Sequence, residues 1–136
     1  TVGFKLFAAG RRIGTLTDLG CIDPRLSLAF GDCDVLLLAA NHCPVMLKEG
    51  PYPESLKRRI RSDRGHLSNP AAAECLCRLG GNVPTIVLAH LSEINNTPEK
   101  AFSSARNGLG LLYDGTTVIV ASQKGTCPTS PQEFTL

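Results

Sequence analysis

The sequence predicts an α/β layered domain whose sheet is at least partly parallel, and three observations carry that expectation. Short apolar runs alternate with stretches that open on helix-start signals: Asp23-Pro24, Asn69-Pro70 and Thr97-Pro98. Two of the runs, Asp34 to Ala40 and Pro84 to Ala89, are apolar almost throughout, the pattern of strands buried on both faces. At 136 residues with 43% apolar side chains, the chain can bury one real core but not two.

The elements follow in order. Val2 to Ala8 and Arg12 to Thr17 are rich in β-branched and aromatic residues, and "AGRR" between them suits a hairpin. Asp23 is an N-cap with proline behind it, so a helix runs through Ala29. After the buried strand ending at Ala40, "KEGPYPESL" reads as loop and Pro53 to Ser62 as a basic helix. Asn69-Pro70 starts a helix that stops at Gly80-Gly81. Pro84 to Ala89 leads as a strand into His90, Thr97-Pro98 starts a helix to about Gly108, and Thr116 to Ala121 is the last strand. A polar tail fills 124–136, leaving 1–123 as the folded unit. The predicted order is β-β-α-β-α-α-β-α-β.

Composition narrows the functional classes. No apolar run approaches the ~20 residues of a membrane helix, and nothing has the order of a signal peptide. A formal charge of +2 is too mild to point to nucleic acid by itself. The six cysteines show neither CxxC pairs nor zinc-ribbon spacing, so they read as reduced, mostly buried thiols of a cytoplasmic protein. Cys75 and Cys77 sit two apart on a helix and should point in different directions. The chain opens at Thr1 in what already looks like a strand, the character of a fragment.

Polar residues gather where ligands collect in open α/β sheets, beyond the carboxyl ends of strands. These are Asp18 in "TLTDLG", Asn41 and His42 in "LLLAANHC", and His90 after "IVLA". His66 precedes a helix N-terminus in "SDRGHLS". Two of the chain's three histidines thus open the same tripeptide, His-Leu-Ser. Carboxylates and neutral imidazoles bind divalent ions, and helix N-termini favour anions. Each residue also has a plain structural reading. Asp18 can cap a turn, His90 can be a satisfied core histidine, and His66 can orient a loop whose helix Ser68 or Asn69 caps. The basic run from Leu56 to Arg64 can be a solvated helix face. His42 and Cys43 are adjacent on a strand and point apart, which argues against a metal pair.

Taken together, "GTLTDLG", "ANHCPVMLKEGPYPESLKRRIRSDRGHLSN" and "IVLAHLSEINNTPEKA", in this order and spacing, resemble the metallo-β-lactamase-fold hydrolases. Within them the likeness is to the YycJ/WalJ-type exonuclease branch, over about Val2 to Ala105. The resemblance implies the C-terminal half of a four-layer αββα sandwich holding two divalent metal ions, zinc or manganese. It implies Asp18 as the carboxylate bridging both ions, His90 as a ligand of the second, and His66 as proton donor to the leaving oxygen. Asn41, Ser68, Lys57 and Arg64 are the substrate-side candidates, with Arg58, Arg59 and Arg61 as further cations for a DNA backbone. The family's H-x-H-x-D-H ligands are absent from these residues, so the chain by itself is expected to be inactive. Its expected partners are the missing N-terminal half, DNA, or a second copy of itself. Ala39 and Cys43 also stand where relatives usually carry acids. Two other readings remain at this point: a phosphodiesterase of small cyclic phosphates, and a non-catalytic half-domain that acts by association.

Overall fold

A computed structural model describes residues 3–79 and 81–122. Its sheet has five strands in the order β1-β2-β3-β4-β5: Phe4–Ala8, Arg11–Leu16, Val35–Ala39, Thr85–Ala89 and Thr117–Val120. β1 and β2 form an antiparallel hairpin, while β2, β3, β4 and β5 run parallel. The mixed α/β sheet expected from the sequence is therefore present. Parallel strands need long crossover connections, and the chain supplies helices in them. These are α1 (Pro24–Ala29), α2 (Pro44–Glu49), α3 (Glu54–Arg61), α4 (Asn69–Leu79) and α5 (Pro98–Leu109), followed by a 3-10 turn at Gly110–Gly115.

The helix starts obey the local chemistry read in the sequence. Asp23 accepts a hydrogen bond from the Arg25 amide, Ser68 Oγ from the Ala71 amide, and Thr97 Oγ1 from the Lys100 amide. Each satisfies an amide that the first turn leaves without a partner. Two elements went unread. The short helix α2 has no side-chain cap, only a proline in its first turn, so "HCPVMLKE" gave a weak start signal. The 3-10 turn after α5 lacks any cap side chain as well. The polar tail lies outside the described residues.

One face of the sheet holds the core. Leu16, Leu36, Leu38, Ile86 and Leu88 are buried beneath α4 and α5 residues such as Leu76 and Phe102. The period-2 alternation of strands sends their neighbours to the other face. There the register aligns Leu6 with Ile13, Ile13 with Val35, and Leu37 with Val87. Leu6 is 59% exposed, Val35, Leu37 and Val87 are half-buried, and none of them joins the core.

The cysteines are mixed in burial. Cys33 and Cys75 are buried, Cys43 is half-buried, and Cys21 and Cys77 are exposed, all as free thiols. The expectation of mostly buried thiols is thus corrected: Cys77 lies on the solvent stripe of α4 and Cys21 in an open loop. Cys75 and Cys77 do diverge, as their spacing requires. Cys127 lies outside the described residues. Among the described residues no helix is long and apolar enough to cross a membrane.

Candidate metal and phosphate site

The parallel strands β2, β3 and β4 deliver their carboxyl ends to one edge of the sheet. Asp18 follows β2 and His90 follows β4, with the end of β3 between them. Both residues have left-handed backbone, φ 55° at Asp18 and φ 60° at His90. Non-glycine residues rarely adopt that region, and where a fold enforces it the constraint often serves a site. Here it breaks the strand direction so that the two side chains turn toward each other. Asp18 Oδ1 lies 3.4 Å from His90 Nε2.

The first His-Leu-Ser enters from the loop after α3. The His66 amide donates to the Ile60 carbonyl, and the Gly65 amide to Ser62. Gly65 is needed there, because a Cβ would sit 2.1 Å from the Ile60 carbonyl oxygen. The two tripeptides then clasp the extension of β3 from both sides. The Asn41 amide donates to the Leu67 carbonyl, and the Asn41 carbonyl accepts from the Ser92 amide. Asn41 Nδ2 in turn donates to the His90 carbonyl at 2.8 Å, which fastens the left-handed turn. Below, the Asn69 and Asn96 amides bond each other, and Asn96 also donates to the Ala40 carbonyl. The matching tripeptides thus occupy matching places, one on each flank of β3.

One ligand atom from each of Asp18, His66 and His90 lies within 4.8 Å of the others. The His66 and His90 rings meet edge to face, centroids 5.0 Å apart. Burial, the His90 ring and the Arg59 guanidinium hold the His66 pKa below the usual histidine value, against a raising pull from Asp18. Nδ1 of His66 is buried without a hydrogen-bond partner. His42 sits deeper and is pushed down to about 4, mainly by burial, with smaller contributions from His66 and Arg61.

Comparison with known proteins adds the decisive observation. Over 95 residues the chain is 42% identical to "Exodeoxyribonuclease WalJ" of Streptococcus pneumoniae serotype 2, a match covering 69% of this chain. Over 92 residues it is 37% identical to "Exodeoxyribonuclease YycJ" of Bacillus anthracis, covering 67% of this chain. The chain is a homologue of the WalJ/YycJ exodeoxyribonucleases. In both cases the match spans 35% of the relative's own length. No family model matches the chain.

In this WalJ/YycJ homologue the other sequence-predicted residues divide. Asn41 is 9% exposed and spends its amide on the His90 carbonyl. Ser68 is occupied as the cap of α4. Arg64 is exposed beside the site loop. Lys57 requires a correction: it is 9% exposed, and its Nζ donates to the Lys48 carbonyl at 2.7 Å. It joins α3 to α2 and does not face a substrate, because helical spacing turns position 57 inward with Ile60. The strand ends predicted the site, but the clasp around Asn41 was illegible, since backbone hydrogen bonds between distant loops leave no pattern in the sequence.

Proposed function

We propose that this chain forms the C-terminal half of a metallo-β-lactamase-like domain, 1–123, in a two-metal phosphodiesterase acting on DNA. The observation that carries the reading is the convergence of Asp18, His66 and His90 from three separate places in the chain. The donor pair suits divalent zinc or manganese: one carboxylate and one imidazole, with a 3.4 Å Asp18–His90 spacing. Ligands about 2.1 Å from one ion in tetrahedral arrangement lie about 3.4 Å apart. Such ions, when bound, supply a water of lowered pKa and positive charge for the phosphate.

The roles of the chain's own residues follow. Asp18 and His90 would hold the ions, Asp18 through its carboxylate and His90 through Nε2. His66, beside both, would carry a proton to the leaving oxygen. Its pKa is held down in part by Arg59, and an arriving phosphodiester counters that cation, favouring the protonated ring. Asp18 and His90 are too few ligands to close a site, so the remainder must come from a further segment. The relatives' greater length supports this, and so does the apolar sheet face described above, which the opposite half of a four-layer sandwich would cover.

The test uses the complete gene product with manganese or zinc. Asp18→Asn and His90→Ala should each lower bound metal after dialysis and reduce cleavage of linear DNA by more than about 100-fold, beyond the effect of changing a supporting partner. His66→Ala should retain metal and lose cleavage. Undiminished metal binding in Asp18→Asn refutes the site, and hydrolysis confined to cyclic nucleotides transfers the reading to small cyclic phosphates.

A further inference from the structure

A groove of about 440 Å³ shares a wall with the candidate site, for His66 and His90 are among its lining residues. That size lies within the range of small-ligand pockets. Its remaining walls mix apolar side chains with polar ones. α3 contributes Leu56 and Ile60, one turn apart on the same stripe, and Tyr52 adds an aromatic ring from the preceding loop. Ile94, 49% exposed, comes from the loop after β4. Leu56 is also exposed, at 38%. Exposed apolar side chains gathered about a cleft mark a binding surface more often than isolated ones do.

Resting on the proposed phosphodiesterase reading, we infer that this groove receives one unpaired nucleobase, that of the nucleotide next to the scissile phosphate. Three features select this occupant. The groove is continuous with the histidines that would face the phosphate, so sugar and base extend naturally from one into the other. Tyr52 supplies the aromatic face on which any base can stack, and Leu56 and Ile94 supply apolar contact. The Ser92 hydroxyl, which accepts from the Ile94 and Asn95 amides, keeps its own proton to donate to a base edge at the same lining. Charge agrees, since Arg59 stands close enough to act on His66, a cation at the flank for the backbone. A base inside a duplex is stacked and paired, and cannot enter a side groove unless it is extruded. The cleaved nucleotide is therefore single-stranded or frayed when it binds.

The experiment measures binding by the complete gene product of a short single-stranded oligodeoxynucleotide with a non-cleavable phosphorothioate backbone. The comparison is with oligonucleotides of the same sequence made abasic at each terminal nucleotide in turn. Loss of the base at one end should weaken binding roughly 5- to 100-fold, the range of one base–aromatic stack. Tyr52→Ala should abolish that difference and Tyr52→Phe should keep it. Ile94→Ser, at an exposed position, should diminish it without disturbing folding. Equal affinity for the intact and abasic strands overturns the groove inference and leaves the nuclease reading standing. Failure of every strand to bind overturns both.

Discussion

At the scale of the residue, His42 is the group whose chemistry departs most from its free value. It is 3% exposed, its Nδ1 has no hydrogen-bond partner, and its pKa falls to about 4. A buried imidazole resists the proton because the charged form loses its hydration. The sign of the pH effect follows from linkage. Above the unfolded value of 6.5 both states are neutral and the residue costs nothing. As pH falls from there toward about 4, the unfolded chain takes up a proton that the fold refuses, so stability drops. The full loss is about 3 kcal/mol, from the two pKa values and 1.36 kcal/mol per unit. Urea unfolding at about pH 7 and about pH 5 should show much of this decline, and His42→Leu should flatten it. An unchanged slope in that variant would mean that other groups set the acid limit. Asp18 and His90 show the complementary case, where the fold spends backbone strain to aim a side chain.

At the scale of the element, α4 and α5 pack closely against each other. Gly108 sits where a Cβ would lie 2.3 Å from the Ala73 carbonyl oxygen, a backbone atom that cannot swing away. The two helices approach through that glycine, and Ala72, Leu76, Ala101 and Ala105 fill the seam around it. This pair forms the layer beneath β3 and β4, so it sets the height at which Asn41 and His90 emerge. Gly108→Ala should force the helices apart and cost roughly 1–3 kcal/mol, the usual cost of overpacking. Equilibrium denaturation would measure it. A neutral or stabilising result, as helix propensity alone would give, would show that the seam has slack.

At the scale of the whole molecule, the sheet is covered on one face and open on the other. Most residues aligned across the open face are apolar, Leu6, Ile13, Val35, Leu37 and Val87 among them, with Thr15 and Thr85 in the same rows. On the proposed sandwich that face is internal. The isolated chain should then self-associate, and sedimentation velocity should show species larger than a monomer. Leu37→Glu should shift it toward monomer with little loss of stability, because the position is only half-buried in the chain alone. The same substitution in the complete gene product should cost about 2 kcal/mol or more, the value of a buried leucine. A monodisperse monomer before substitution would argue that the open face has no partner.

The sequence by itself determined the class of fold, the strands, most helix starts and the three residues now found together. Hydrophobic periodicity and capping chemistry are local, so they survive in a linear reading: Asp23, Thr97 and the apolar runs behave as their neighbours dictate. Short α2 escaped because a six-residue helix without a side-chain cap has almost no local signature. Lys57 was misassigned because a basic run does not tell which of its cations turns inward. Only the tertiary structure decided that Asp18 and His90, two strands apart, face each other at 3.4 Å, with His66 beside them. That outcome depends on parallel strand order and on loop-to-loop hydrogen bonds around Asn41, and these are properties of packed distance, which residue spacing does not encode.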